Sequence, residues 1–480
     1  MTLNELRSKH PRFFYQKANW THDGTALKIE FRYLLEPDIP FSSSLVLEPI
    51  DSTALAKIDK DTIQNWVFHL GLIESFSYWK TAAPAEIVVE AGFLNEAQLA
   101  WWKELLLKGM GEFFYTNQID FTTPDFVKFS CDQPPSASQS TLQTSNQVTK
   151  VPKYLVPLGG GKDSTLIIEL LEENALPYDI FLSFPQSPAA EKIAKLSRAR
   201  QIIELKRQFD FVTLAKLSKS GYLHGHFPFA SRLAFEAGIA ARLLGHQQIL
   251  VGNEFSSNEG NVLFHGVTVN HQYSKTFEFE QSFRQYVQRY LSPAPEFLSL
   301  LQPIHELQIA GLFAQYPRYH QLFKSCNRNQ QQETWCCECA KCLFVFTALF
   351  PFLEEKQLVG PIFPKNLFEN AALNPLALAL LGKDAHKPFE CVGTYDETLT
   401  AFYLSVVKFR ERHPNQALPP LLDFLEKNVL SKEKNLQQTA EKVLCFWNSD
   451  HNLPKELEII VKGAQERLCE LYKTKLAPLL

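Results

Sequence analysis

Apolar and polar positions change rhythm twice along this chain. Over residues 1–130, the stretches 26–35, 43–47 and 86–90 read as strands, while 62–76 and 95–107 place apolar side chains at helical spacing. Between residues 134 and 150 large apolar side chains all but vanish from a Ser/Thr/Gln/Asn tract, which cannot bury enough surface to order itself. From residue 151 the two patterns alternate. Strands are predicted at 154–158, 179–184, 211–215 and 248–254, with helices at 163–174, 190–209 and 229–244. Such alternation argues βαβ units, an α/β fold whose parallel sheet carries helices on both faces. Past residue 361 the chain reads as mostly helical, with three or so helices over 398–480. The expected division is an α+β N-terminal domain (1–130), a linker (131–150), an α/β domain (151–325), a cysteine cluster with its helix (326–360) and a helical C-terminal region (361–480).

The stretch Pro157-Leu-Gly-Gly-Gly-Lys-Asp-Ser164 carries the strongest chemistry. Strand, glycine turn and helix start together make an anion site, because glycine lets bare backbone N–H groups approach a phosphate and the helix start adds unpaired donors. It is not a Walker A loop, since Val156 stands where the first Gly belongs and Asp163 follows Lys162. Nor is it the dinucleotide fingerprint, whose last Gly is replaced by Ser164. It resembles the Ser-Gly-Gly-x-Asp-Ser loop of the PP-loop ATP pyrophosphatases, with Gly159 in place of the first Ser. That resemblance implies an adenine nucleotide alpha hydrolase-like domain that cleaves ATP between its α- and β-phosphates.

Ligands in parallel sheets lie outside the carboxyl ends of the strands, and Val251-Gly-Asn-Glu-Phe-Ser-Ser-Asn-Glu259 shares that edge. Gly252 and Asn253 join the nucleotide site there, and Glu254 and Glu259 are oxygen donors suited to Mg²⁺. The run from Val269 to Glu280 packs His271, Tyr273, Lys275, Glu278 and Glu280 together, as a substrate-recognition segment or as an amphipathic strand. Ser77-Tyr-Trp-Lys80 reads either as a ligand contact or as an aromatic anchor. Cys336, Cys339 and Cys342 make two overlapping Cys-x-x-Cys steps that could hold structural Zn²⁺ with Cys326 or a His as the fourth ligand. The same thiols could simply pack beside the helix predicted at 343–353. Cys391, Cys445 and Cys469 stand alone.

Composition narrows the partners. Apolar residues make up 45% and charged residues 21%, an ordinary globular balance over 480 residues. A net charge of −4 gives no footprint for nucleic acid. The charged N-terminus lacks a signal peptide's apolar core, and the longest apolar run has Pro351 inside it, too short to span a bilayer. A cytoplasmic protein is expected, its nine cysteines thiols or metal ligands sooner than disulfides.

Taken in order, Ser77-Tyr-Trp-Lys80, the glycine loop, Gly252-Asn-Glu254, Asn270-His-Gln-Tyr-Ser-Lys275, Cys339-Ala-Lys-Cys-Leu-Phe344 and Glu390-Cys-Val-Gly-Thr394 resemble the bacterial UDP-N-acetylmuramoyl-L-alanyl-L-glutamate epimerases (MurL) from about residue 70 to 400. The resemblance implies ATP-dependent inversion of the terminal L-Glu of UDP-MurNAc-L-Ala-L-Glu, with AMP and pyrophosphate released, in peptidoglycan synthesis. The expected partner is that UDP-sugar dipeptide, with neither nucleic acid nor membrane, and oligomeric state left open. Roles follow from chemistry. Gly159, Gly160, Gly161, Lys162 and Ser164 would hold the phosphates, and Asp163 and Glu254 the Mg²⁺. His271, Lys275 and His265 are candidate acids or bases, with Cys339 behind them and Lys162 beside the reacting group. Two rivals use the same loop, a tRNA sulfur transferase that would employ the clustered cysteines and an acyl-adenylate amide ligase.

Overall fold

The computed structural model describes residues 1–131, 153–185, 187–329, 331–384 and 386–479, so the tract read as a linker lies outside the described residues apart from Cys131. One ten-stranded sheet is formed by β1 (Arg12–His22), β2 (Leu27–Leu35), β3 (Ile39–Glu48), β4 (Glu86–Val89), β5 (Lys128–Ser130), β6 (Tyr154–Pro157), β7 (Tyr178–Ser183), β8 (Ile202–Gln208), β9 (Gln248–Glu254) and, beyond the small hairpin β10 (Val262–Phe264) and β11 (Val267–Val269), β12 (Glu296–Leu301). Their order is β12-β9-β6-β7-β8-β3-β2-β1-β4-β5. The first five are mutually parallel. Antiparallel pairing of β8 with β3, Leu205 opposite Leu47, carries the sheet on into the first 130 residues. The expected N-terminal and α/β domains therefore share a single sheet.

Burial follows this change of character. Every residue of β6 and β7 is buried, as strands covered by helices on both faces must be. Along β2 buried and exposed residues alternate, because one face meets the helix Lys60–Trp79 and the other meets water. That helix opens on the Asp59 side chain, which accepts from the Thr62 N–H.

Three readings of the sequence differ from the structure. The third α/β strand is β8, not 211–215, and the helix before it is confined to Pro188–Leu196. The residues 211–215 instead open the helix Phe211–Lys219, because the Asp210 side chain caps the Thr213 N–H and leaves Phe211 and Val212 exposed. The polar-aromatic run ending at Glu280 is no strand. Thr276 caps the helix Phe277–Tyr290 within it. Finally, Cys445 and Cys469 do not stand alone but form a disulfide. It joins the end of the helix Leu436–Leu444 to the helix Lys455–Leu471. Among the described residues no helix is long and apolar enough to cross a membrane.

Candidate active site

The chain leaves β6 for β7 and β8 on one side and later fills β9 and β12 on the other, so strand order reverses between β6 and β9. At such a switch point the loops at the carboxyl ends diverge and leave a crevice. Three successive strands deliver charged groups to it. After β6 come Lys162 and Asp163, which begin the helix Lys162–Glu173. Glu254 ends β9, and Glu306 begins the helix Glu306–Phe313 that follows β12.

Gly160 has φ +83°, and a Cβ there would lie 2.7 Å from the Ala190 backbone nitrogen. Both the dihedral and the clash exclude a side chain. The Gly160 carbonyl accepts from the Lys324 N–H at 3.0 Å, so the loop rests on the segment that leads to Cys326. Gly252 allows a second close approach. A Cβ on it would meet Asp163 Cβ at 3.0 Å, so glycine lets β9 lie against the helix start. Asn253 faces the sheet interior and donates to Ser299 Oγ at 3.1 Å. Gly161 and Ser164 stay partly exposed at the helix start.

Carboxylate oxygens of Asp163, Glu254 and Glu306 all lie within 4.8 Å of one another. Lys162, almost fully buried, pairs with Asp163 and reaches Glu306 at 2.8 Å, and Lys341 reaches Glu306 at 3.0 Å. Burial opposes ionisation of both glutamates. It prevails at Glu254, where the charges of Glu306 and Asp163 add to it and hold the carboxyl above its usual range. At Glu306 the ammonium groups of Lys162, Lys341 and Lys275 overcome it and hold the carboxyl low. One oxygen on each glutamate is buried without a hydrogen-bond partner. Close oxygens, two of them orphaned, are the donor set of a hard divalent cation such as Mg²⁺. Glu259 stands apart from this group and pairs with Lys387 at 2.9 Å.

Sulfur atoms of Cys326, Cys336, Cys339 and Cys342 also converge within 4.8 Å. Cys337 takes φ +59°, which turns the Cys-Cys-Glu-Cys segment so that Cys336 and Cys339 face the same point. Backbone N–H groups of Asn329 and Cys336 donate to Cys326 Sγ at 3.4 Å, and that of Cys342 donates to Cys339 Sγ at 3.4 Å. Four sulfurs with N–H donors behind them fit tetrahedral Zn²⁺. Lys341, between Cys339 and Cys342 in the chain, is thereby aimed at Glu306 and at the carbonyl of Cys391.

A third group was not visible in the sequence as a set. Glu112 takes His226 Nδ1 at 2.9 Å and His271 Nδ1 on the same oxygen, and His271 Nε2 lies 4.0 Å from Cys391 Sγ. These residues come from the helix Gly111–Thr116, the loop before the helix Phe229–Leu244, the turn after β11 and the loop before the helix Tyr395–Arg412. Each of the four is only partly covered. A cleft of about 910 Å³ lies alongside, lined by Gly111, Asn270 and Tyr273 but by none of these four side chains. Lys275 links this group to the acidic one, since its ammonium interacts with Cys391, Glu254, Asp163 and Glu306, and they keep it protonated against burial.

Of the predicted residues, Gly160, Lys162, Asp163, Gly252, Glu254 and Lys275 meet at one edge, with His271 reached through Cys391. His265 does not join them. It sits exposed at φ +48° in the β10–β11 turn, packed on Phe264. Cys339 belongs to the sulfur cluster. Ser77-Tyr-Trp-Lys80 is mostly core, with Ser77, Tyr78 and Trp79 buried and Lys80 donating to the Gly225 carbonyl beside His226. Glu306, Lys341, Glu112, His226 and Cys391 were missed as site residues. Cys391 had a signal, since it stands in the Glu390-Cys-Val-Gly-Thr394 motif.

Two family models match the chain, the MurL N-terminal domain over residues 5–300 and the MurL C-terminal domain over residues 322–439. The chain is 33% identical to a UDP-N-acetyl-alpha-D-muramoyl-L-alanyl-L-glutamate epimerase of Xanthomonas oryzae pv. oryzae over 354 residues, 72% of this chain and 76% of the relative. It is 32% identical to the enzyme of the same name from a Micromonospora species, over 70% of this chain and 73% of the relative. A Salinispora tropica relative of that name is 31% identical over 70% and 72%. No solved structure matches the chain.

Proposed function

The chain belongs to the MurL family, and from that membership we propose that it inverts the terminal L-Glu of UDP-MurNAc-L-Ala-L-Glu to D-Glu, in the cytoplasm, for peptidoglycan precursor synthesis. ATP drives the inversion through an adenylate of the glutamyl carboxylate, and AMP and pyrophosphate leave. The α-hydrogen beside a carboxylate is a very weak acid, because its loss places a second negative charge next to the first. Adenylation removes that first charge and leaves an acyl group from which the hydrogen departs far more readily.

What carries this reading is the convergence of a glycine loop, three lysines and three carboxylates at the edge where strand order reverses. In a PP-loop role, backbone N–H groups of Gly159, Gly160 and Gly161, the Ser164 hydroxyl and Lys162 would meet the phosphates. Asp163, Glu254 and Glu306 would hold Mg²⁺, which neutralises phosphate charge when bound. Lys341 and Lys162 set the charge of Glu306 from two sides. Zn²⁺ held by Cys326, Cys336, Cys339 and Cys342 would serve structure, fixing the start of the helix Ala340–Leu349 and so the aim of Lys341.

The test is incubation with ATP, Mg²⁺ and UDP-MurNAc-L-Ala-L-Glu in heavy water. AMP release with one deuterium at the glutamyl α-carbon and appearance of the D-Glu product is expected. AMP release that requires tRNA or an added amine, without deuterium uptake, contradicts the proposal and favours the sulfur transferase or the amide ligase.

A further inference from the structure

Inverting a carbon centre requires a group that takes the hydrogen and a group that returns one on the other face. The acidic edge is poor in such groups, because Asp163 and Glu306 are engaged by Lys162 and suited to a cation. The Cys391 cluster is different. Cys391 is half-buried and makes no disulfide, with an imidazole 4.0 Å from its sulfur and the charge of Lys275 acting on it. His271 is held from behind by Glu112, which His226 shares, so the ring is fixed with Nε2 toward sulfur. This is the arrangement that activates a cysteine: a sulfur, a ring that hydrogen-bonds it and a carboxylate that orients the ring.

We propose that Cys391 is the residue that takes the glutamyl α-proton, with His271 and Glu112 as positioning residues and water as the proton source of the opposite face. The assignment rests on the epimerase reading above. In the L-to-D direction the Cys391 thiolate takes the α-proton and becomes a thiol. The C–H electron pair passes into the acyl adenylate as an enolate. Water gives a proton to that pair on the other face and becomes hydroxide, which takes the proton from the thiol and restores the thiolate. A second water then cleaves the inverted acyl adenylate to the D-glutamyl carboxylate and AMP, so the substrate differs only in configuration.

Electrostatics agree with the geometry. Burial works against the thiolate, but the charge of Lys275, the hydrogen bond and charge of His271 and the charge of Lys341 bring Cys391 down to about 5. Burial likewise works against the imidazolium, and Cys391 and Glu112 together lift His271 to about 9. His226, which shares Glu112, is pushed down by burial, and Lys80 behind it adds to that. Proton transfer should therefore fall as pH drops through about 5, when the thiolate is lost.

The experiment measures deuterium gained per AMP released in heavy water. Cys391→Ala should lower that ratio at least 100-fold. His271→Asn should move the pH midpoint of iodoacetamide alkylation of Cys391 up by more than one pH unit from about 5, which loss of a merely structural contact would not do. In the unmutated enzyme, alkylation at Cys391 should abolish deuterium uptake and should be slowed by UDP-MurNAc-L-Ala-L-Glu. A Cys391→Ala enzyme with an unchanged ratio, or alkylated enzyme that still epimerises, overturns the assignment alone. Unmutated enzyme that neither releases AMP nor gains deuterium overturns the reaction and the assignment with it.

Discussion

Around Cys339 the neighbours of a thiol are three other thiols, whereas around Cys391 they are an imidazole and ammonium groups. The same side chain is suited to two chemistries. Four converging sulfurs cannot all ionise beside one another without a cation among them, so that site calls for a metal. A lone sulfur facing positive charge ionises readily, so that site is suited to taking a proton. Lys341 joins the two. It stands between Cys339 and Cys342 in the chain, and its ammonium ends at Glu306 and the Cys391 carbonyl.

Three substitutions sharpen the contrast. The largest effect should come from Cys342→Ser. Loss of one ligand should empty the sulfur cluster of zinc, lower Tm by more than about 10 °C and leave little folded enzyme, since a structural zinc site contributes roughly 10 kcal/mol to folding. Metal analysis and a thermal scan would check this, and a zinc-free wild type would break the comparison. Next, Glu306→Gln should reduce AMP release about 100- to 1000-fold, because it removes one carboxylate from the cation site and leaves Lys162 and Lys341 facing a neutral amide. The smallest effect, less than about 2-fold on either AMP or deuterium, is expected for His265→Ala, since that ring lies on an exposed hairpin turn.

Much of the phosphate edge was legible because it is local. Strand, glycine turn and helix start lie within about twenty residues, and the limits of β9 and of the helix Phe229–Leu244 coincide with those read from periodicity. The four cysteines were legible as a set because three of them fall within seven residues. What failed depended on distance or on competing local signals. The β3–β8 pairing joins segments some 160 residues apart, and nothing in either strand names its partner. Residues 211–215 read as a strand because Phe-Val-Thr-Leu-Ala is rich in strand formers, yet the Asp210 cap outweighed that preference. β1 escaped notice because polar residues interrupt it and a bulge between Tyr15 and Lys17 breaks its alternation. Glu112, His226 and Glu306 carry no local mark of function, and Cys391 has one only through its motif. Glu112, His226, His271 and Cys391 become a site only when the fold brings four distant segments together.

The most direct measurement of the central claim is pyrophosphate exchange. Enzyme, Mg²⁺, ATP and labelled pyrophosphate are mixed with and without UDP-MurNAc-L-Ala-L-Glu. Label should enter ATP only when the dipeptide substrate is present, because an acyl adenylate must form and reverse. Epimerisation that proceeds without ATP, or ATP broken down to ADP and phosphate with no exchange, would contradict it.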